Sequence, residues 1–286
     1  MKIAIYGSRR QHSAVASIEQ FFTAASERKV ELLLHGKLYD HLAEIAPRLL
    51  EHAKRVDTPA GADLVVSLGG DGTFLRTAMW VGELQLPIVG VNTGHLGYLS
   101  AMTVSELPSL FDSIANDRLR LELRGLLEVV APELPDFVGR YALNEVSLMK
   151  EETASMITAT VSIDDTFLAD YRADGLLLCT STGSTAYNLS VGGPIVQPTL
   201  EVSVLSPVAA HSLSMRTMVV DSRSRISIVP EGRSRHVRLA LDGRSALIDM
   251  GTEIEISQAP FKVHILQDAE RSFADTMRYK LHWGEQ

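Results

Sequence analysis

Cysteine is almost absent: the 286 residues include only Cys179. A lone cysteine excludes an internal disulfide framework and a zinc site built on cysteine pairs. Its apolar neighbours Leu176–Leu178 predict a small buried side chain rather than a nucleophile. No run approaches the roughly 20 apolar residues that span a bilayer, and the apolar N-terminal run is too short for a signal peptide. We therefore expect a cytoplasmic protein that does not enter a membrane.

Basic residues are outnumbered: 27 Lys and Arg stand against 35 Asp and Glu, for a formal net charge of −8. This balance argues against a nucleic-acid partner, because nonspecific binding depends on a basic surface. It leaves nucleotide substrates open, since a glycine-rich turn and a metal ion can hold phosphates. With 45% hydrophobic residues, the chain can bury the core of one large domain or two medium ones.

Several common motifs are also missing. The sequence has no GxxxxGK[ST], HExxH or GxSxG motif, and Gly70-Asp71-Gly72 lacks the third glycine of GxGxxG. These absences exclude the usual phosphate-loop, dinucleotide-fold, zinc-protease and esterase interpretations.

A glycine-rich turn is the most informative stretch that is present. Residues 69–73, Gly-Gly-Asp-Gly-Thr, follow an apolar run and precede the helix-like segment Phe74–Trp80. Glycines allow close approach of a ligand, and a helix N-terminus attracts phosphate. Asp71 is unfavourable beside phosphates unless it binds Mg²⁺ or takes a proton from a substrate. The alternative is a plain strand–helix turn with a capping aspartate.

The first half of the chain alternates between strand-like and helix-like patterns. Helices are predicted near residues 15–25 and 38–50, the second of which Pro47 must kink or divide. This alternation predicts a parallel sheet with helices on both faces. Ligands bind beyond the carboxyl ends of such strands, where residues 69–73 and 92–98 both lie. The strand-like runs are Ile3–Tyr6, Val30–Leu34, Leu64–Leu68 and Ile88–Val91.

Three residues near these strand ends have open roles. Arg9 and Arg10 follow the first strand, where they could bind phosphate or form a solvated pair. His95 could contact a ligand, although satisfying backbone groups is the favoured role.

From about residue 118, apolar and polar residues alternate, as in 119–123, 157–163, 237–241, 254–256 and 263–265. Period-two alternation separated by turns indicates antiparallel strands and layered sheets. Residues 273–281 suggest a final helix. We predict an α/β domain at 1–117, an all-β, sandwich-like domain at 118–269, and a helix at 270–286 that returns to the first domain.

Two stretches of the second half are too polar for a pure core. Asn144 and Glu145 interrupt an apolar strand, and either bind a ligand or face water at a strand end. Residues 174–188 indicate a strand, a Ser/Thr/Gly loop and a helix starting near Ser184. The hydroxyls and N–H groups of this loop could recognise a base or ribose, or could cap the helix.

Together these motifs resemble those of the NAD kinase family. The resemblance rests on residues 69–73, 92–98, 144–145, 174–175, 182–190 and 192–194, in the family's order. The glycine turn alone is also similar to turns of 6-phosphofructokinases and diacylglycerol-type lipid kinases, whereas the stretch 174–194 is specific. The resemblance implies phosphorylation of the 2′-hydroxyl of the adenosine ribose of NAD by ATP, giving NADP. It also implies Mg²⁺ or another divalent cation and a homodimer or homotetramer.

The resemblance also assigns roles to residues. Asp71 would be the general base, and the ATP phosphates would be held by Gly69, Gly70, Gly72 and Thr73. The metal would be held through the phosphates, with no direct protein ligand. Asp242-Gly243 resembles a family turn near the site, or forms a plain hairpin. The implied NAD-binding residues are Asp71, Gly72, Tyr98, Asn144, Glu145, Asp174, Thr182, Thr185, Ala186, Tyr187 and Ser190. Arg172, just before Asp174, could join them by offsetting the pyrophosphate charge, or could be a surface arginine.

Two other functions are possible. A lipid kinase would need an apolar acceptor groove, whereas residues 182–190 are polar. A sensor that binds NAD or NADP without turnover would gain little from Asp71 beside phosphates. The residues leave open the choice between NAD and NADH, the use of polyphosphate as donor, and feedback by NADPH or NADH.

Overall fold

The computed structural model describes residues 1–7, 14–94, 97–132, 134–151 and 156–283. They form two compact units, Met1–Leu123 with Val263–Gln286, and Arg124–Lys262. The strands and helices are β1 (Lys2–Gly7), α1 (Val15–Glu27), β2 (Glu31–His35), α2 (Gly36–Ile45), β3 (Ala53–Val56), β4 (Leu64–Leu68), α3 (Asp71–Val81), β5 (Ile88–Asn92), β6 (Met102–Thr103), α4 (Leu110–Ala115), β7 (Leu119–Arg124), β8 (Leu127–Val130), β9 (Tyr141–Ala142), β10 (Glu145–Lys150), β11 (Ile157–Ile163), β12 (Thr166–Ala173), β13 (Gly175–Thr180), α5 (Tyr187–Ser190), β14 (Val202–Val208), β15 (Met218–Asp221), β16 (Ile226–Glu231), β17 (His236–Leu241), β18 (Arg244–Asp249), β19 (Ile254–Gln258), β20 (Val263–Asp268) and α6 (Phe273–Leu281).

The first unit is built on a sheet with strand order β3-β2-β1-β4-β5-β20-β7, and β6 pairs with β5. Strand β1 is parallel to β2 and β4, and β5 is parallel to β4 and β20. Every residue of β4 and β5 is buried, as expected for strands covered on both faces. Helix α1 buries Ile18, Phe21, Phe22 and Ala25, the face that its 3.6-residue period predicts.

Proline and a capping box set two helix ends in this unit. Helix α2 stops at Ile45, and a 3-10 helix begins at Pro47, so proline divides the predicted helix because its ring cannot continue the hydrogen-bond ladder. Ser272 and Asp275 form a reciprocal capping box at the start of α6. A capping box satisfies two N–H groups that have no intrahelical acceptor.

The second unit consists of two six-stranded sheets, with strand orders β15-β14-β13-β10-β17-β18 and β12-β11-β16-β19-β8-β9. The strand pairs described within these sheets are antiparallel. Alternate residues from both sheets share one apolar core, which includes Ile157, Val161, Leu176 and Leu239. The predicted combination of an α/β unit and a β-sandwich unit is therefore confirmed.

The unit boundaries differ from the predicted residues 117 and 269. Strands β7 and β20, which we assigned to the sandwich, lie side by side in the sheet of the first unit. The alternation within each strand indicates only that it is a strand. Its sheet partner is fixed by long-range pairing, here Ile265 with Ile88. Helix α6 belongs to the first unit.

Candidate active site

The glycine turn connects β4 to α3 in the first unit. Gly69 has φ +147°, and a Cβ there would lie 2.5 Å from Thr73 Oγ1, so the backbone itself requires glycine. Gly70 and Gly72 are exposed, and a Cβ on either would have no atom of the described residues within 4 Å beyond its chain neighbours and its own helix backbone. Packing within the described part of the chain therefore does not require those two glycines. The open space lies at the start of α3, where N–H groups without intrahelical acceptors can bind phosphate.

Asp71, the first residue of α3, is held by the chain that follows β5. Its Oδ2 accepts a hydrogen bond from the Tyr98 N–H at 2.9 Å, and its Oδ1 accepts one from the Leu99 N–H at 3.3 Å. Gly97 lies against the same group, and a Cβ there would be 2.5 Å from Asp71 Cγ. The carboxylate remains half-buried. A carboxylate that is fixed in orientation yet still accessible can accept a proton from a hydroxyl.

Tyr98 connects this turn to the last helix. Lys280 Nζ lies 5.5 Å from the centroid of the Tyr98 ring, a cation–π distance. Burial and then the charge of Asp71 raise the pKa of the Tyr98 hydroxyl. The helix periodicity of residues 273–281 gave no indication that Lys280 would reach a residue of the candidate site.

In the second unit, the polar pair Asn144 and Glu145 lies at the start of β10. The carboxylate of Asp242 accepts three consecutive backbone N–H groups, from Leu143 at 2.7 Å, Asn144 at 2.8 Å and Glu145 at 3.1 Å. On the carbonyl side, Thr180 donates through Oγ1 to Leu143 O at 2.6 Å and through its N–H to Asn144 O at 2.9 Å. The backbone that carries the pair is therefore fixed from both sides.

The side chain of Glu145 is only partly satisfied. Among the described residues, its Oε2 is buried without a hydrogen-bond partner, while the backbone N–H of Tyr187 faces the carboxylate and lowers its pKa. Burial and then the charge of Asp242 raise the pKa of Glu145 to about 7. A buried acceptor with a free position is suited to a ligand hydroxyl. Across the β10–β13 pair lies Cys179, whose thiol is fully buried with its pKa raised to about 12, which confirms the interpretation of a buried side chain.

The loop after β13 divides into structural and accessible residues. Ser184 is fully buried and bonds to Ser181 O and to the Val196 N–H, and Asn188 bonds to Pro194 O and the Ser206 hydroxyl. These groups stabilise the loop, but neither helical segment of the loop has a side-chain cap hydrogen bond, so capping does not explain its hydroxyls. The loop forms a 3-10 helix at Thr182–Thr185 and the single turn α5, so the helix predicted from Ser184 is short. Among the predicted NAD-binding residues here, Thr182 is buried, Thr185 and Ala186 are half-buried, and Tyr187 and Ser190 are exposed.

Arg172 and Asp174 lie at the other end of β13. Asp174 precedes this strand and Thr182 follows it, so its six residues separate them by roughly 20 Å. Asp174 pairs with Lys150 Nζ at 2.7 Å, and that hydrogen bond lowers the pKa of Asp174. The Arg172 side chain is exposed on β12. Within one chain, the structure does not bring these two residues together with Asn144, and their contacts with NAD stay a prediction.

Arg9, Arg10 and His95 lie outside the described residues, so their roles stay predictions. Within the described ranges, no group of three or more His, Cys, Asp or Glu residues could hold a metal ion. In the same part of the chain, no helix is long and apolar enough to cross a membrane.

Family models match both parts of the chain. The model of the ATP-NAD kinase N-terminal domain matches residues 9–119, and that of the ATP-NAD kinase C-terminal domain matches residues 143–267. The chain belongs to the NAD kinase family. The suspected resemblance is thus confirmed, and with it the expectation of a phosphotransferase family.

Relatives named NAD kinase match along nearly the whole chain. That of Porphyromonas gingivalis is 40% identical over 284 residues, which is 99% of this chain and 98% of that protein. That of Christiangramia forsetii is 34% identical over 290 residues, covering 100% and 99% of the two chains.

Solved structures of NAD kinases share the fold. Yeast NADH kinase in complex with NADH superposes with a TM-score of 0.88 at 26% identity, covering 100% of this chain and 89% of that one. An NAD kinase from Archaeoglobus fulgidus in complex with ATP gives a TM-score of 0.69 at 24% identity, covering 94% and 95%. None of these matches supports the lipid-kinase or sensor alternative.

Proposed function

We propose that this chain transfers the γ-phosphate of ATP to the 2′-hydroxyl of the adenosine ribose of NAD, giving NADP. The observation that carries the proposal is Asp71, an accessible carboxylate fixed by the Tyr98 and Leu99 N–H groups beside the open turn of Gly70 and Gly72. The ribose oxygen forms a bond to the γ-phosphorus as the bond to the β–γ bridging oxygen breaks. ADP leaves, and the hydroxyl proton passes to Asp71.

The turn supplies position and electrostatics more than covalent chemistry. Phosphoryl transfer runs through a loose transition state, so orientation and charge stabilisation dominate. The N–H groups at the start of α3 would hold the phosphates of ATP. Mg²⁺ or another divalent cation, bound to those phosphates, would neutralise part of their charge. Asp71 adds a proton acceptor, an effect of about 10²–10⁴-fold.

The second unit would supply the residues that recognise NAD. The unsatisfied Oε2 of Glu145 can accept from a ribose hydroxyl, and the amide of Asn144 can both donate and accept. Tyr187 offers an exposed ring face for stacking. The homo-oligomeric state and cytoplasmic location expected from the sequence stay predictions.

The test is NADP formation by the purified protein with ATP, Mg²⁺ and NAD. Parallel reactions replace NAD with NADH or diacylglycerol, and ATP with polyphosphate. We expect Asp71→Asn to keep NAD affinity and to lower kcat by about 10²–10⁴-fold. Asp112→Asn is the matched control, because Asp112 is also a first-turn carboxylate of a helix in the same unit. Wild-type turnover in Asp71→Asn contradicts the base assignment, and product from the lipid alone contradicts the proposed function.

A further inference from the structure

Asp242 is half-buried, and its carboxylate bonds to the backbone of the polar pair Asn144 and Glu145. It lies in the two-residue Asp242-Gly243 turn between β17 and β18, whose flanking residues Leu241 and Arg244 are paired. Both turn residues are left-handed, with φ +47° and φ +79°. This is the backbone of a type I′ hairpin turn, which aspartate and glycine favour. A hairpin needs only these conformations and makes no use of the carboxylate.

The carboxylate instead binds a segment about 100 residues earlier in the chain. Its Oδ1 accepts from the Asn144 and Glu145 N–H groups, and its Oδ2 accepts from the Leu143 N–H. The Asp242 N–H in turn donates to Glu145 O at 3.1 Å. Three consecutive N–H groups cannot all point to one acceptor in a regular strand, whose N–H groups alternate in direction. The carboxylate therefore sets the conformation with which the chain enters β10.

That conformation determines where the Asn144 and Glu145 side chains point. A Cβ on Gly183 would be 2.5 Å from Asn144 C, so the loop after β13 packs directly on this backbone. Glu145 keeps one buried carboxylate oxygen that has no hydrogen-bond partner within the described ranges. With three N–H groups on its own two oxygens, Asp242 is committed to the protein backbone and is poorly placed to bind a ligand as well.

We propose that Asp242 is a positioning residue that orients Asn144 and Glu145 for recognition of a ribose-bearing dinucleotide. The inference rests on the proposed function, because it assumes that the pair binds NAD. Asp242 acts through the pair and does not itself contact the reacting atoms.

The test compares Asp242→Asn with the wild type by direct NAD titration and by steady-state kinetics. Asparagine tolerates the left-handed turn and keeps an acceptor oxygen, but it replaces the other oxygen with a donor that faces an N–H group. Loss of a hydrogen bond to a charged group predicts about a 10- to 100-fold rise in the Kd and KM for NAD. The KM for ATP is expected to stay within about twofold.

Asp164→Asn is the matched control. Asp164 also occupies a left-handed position in a hairpin turn of this unit, φ +48°, and accepts one backbone N–H from Arg225 at 2.9 Å. It lies in the other sheet and outside the candidate site, so its KM for NAD is expected to equal that of the wild type.

Two further measurements separate positioning from a purely structural role. Amide hydrogen exchange of residues 143–145 is expected to accelerate in Asp242→Asn while the β17–β18 strands stay protected. The pKa of Glu145, followed through the pH dependence of the NAD Kd, is expected to fall in the variant, because the charge of Asp242 helps to raise it. In the described part of the chain, the other titratable groups that interact with these carboxyls are Cys179 and Arg244, which the variant leaves in place.

The outcomes distinguish the inference from the proposed function. An unchanged NAD Kd in folded Asp242→Asn, with wild-type protein that still makes NADP, overturns the inference alone. Wild-type protein that neither binds NAD nor makes NADP overturns both. If Asp242→Asn unfolds at the assay temperature, its Kd for NAD is measured below its melting temperature instead. A Kd equal to that of the wild type under those conditions also overturns the inference.

Discussion

Gly97→Ala perturbs the position of Asp71 without removing its carboxyl group. A Cβ on Gly97 would lie 2.5 Å from Asp71 Cγ and 2.7 Å from Asp71 Oδ2. Nonbonded carbon atoms normally approach to about 3.5 Å, so the carboxylate or the loop must move by about 1 Å. The move would weaken the hydrogen bonds from Tyr98 and Leu99, each a charge-assisted contact that contributes about 1.5–3 kcal/mol.

A displacement of about 1 Å at a reacting group costs on the order of 10²-fold in rate. We therefore expect Gly97→Ala to lower kcat about 100-fold while the KM for NAD changes by less than about threefold. The assay is NADP formation at saturating ATP, with thermal unfolding as a check that the variant is folded.

Gly94→Ala is the matched control for this experiment. It adds the same methyl group to the same segment, but among the described residues its Cβ would contact only Asn92 Oδ1, at 3.8 Å, an ordinary distance. The Gly94 N–H can keep its 2.7 Å hydrogen bond to that oxygen. A folded Gly97→Ala variant with kcat within threefold of the wild type would refute the argument that the held position of Asp71 matters. Equal losses in both variants would refute it too, because the effect would then belong to the loop.

Two further variants test the second unit. Burial and the charge of Asp242 raise the pKa of Glu145 from 4.5 to about 7, so the fold favours the protonated carboxyl. The contribution of this group to the free energy of unfolding is fully present below pH 4.5 and is lost as the pH rises through 7. This loss is about 3 kcal/mol at most. We therefore expect the melting temperature of the wild type to fall relative to that of Glu145→Gln between about pH 5 and pH 8. A difference in melting temperature that does not change with pH would contradict the raised pKa. Gly183→Ala would place a Cβ 2.5 Å from Asn144 C and 2.8 Å from Asn144 Cα, an overpacking that costs about 1–3 kcal/mol and should raise the KM for NAD. Gly125→Ala, whose Cβ would have an ordinary 3.5 Å contact with Gln258 Nε2, is its control, and equal melting temperatures for the two variants would contradict the packing argument.

The fold was predictable where local pattern and burial agree. Strands that are covered on both faces are continuous apolar runs, whereas strands of the sandwich alternate between apolar and polar residues. Both kinds of strand form at the residues where these patterns predict them. The turn at Gly69–Thr73 was predictable because its glycines lie between a strand-like run and a helix-like run. The joining of β20 to β5 was not, because nothing in the residues 263–268 identifies a partner at Ile88.

The candidate site was predictable as a set of residues but not as a set of contacts. Asn144 and Glu145 are conspicuous because they are polar in an apolar strand. The function of Asp242 is hidden, because an Asp-Gly turn already explains its residue type. Asp174 and Thr182 are close in sequence, yet an extended strand separates them by roughly 20 Å.

The hydrogen bonds of Asp71 and Asp242 indicate which carboxylate can react with a substrate and which one positions other residues. Asp71 and Asp242 each hold a segment distant in sequence through consecutive backbone N–H groups, two for Asp71 and three for Asp242. An ionised carboxylate offers about four acceptor positions. Asp71 uses two of these and is half-buried at an open turn, so it has both capacity and access for a substrate hydroxyl. Asp242 is also half-buried, but it uses three of these positions on the backbone N–H groups of residues 143–145, so its effect on a ligand has to pass through Asn144 and Glu145.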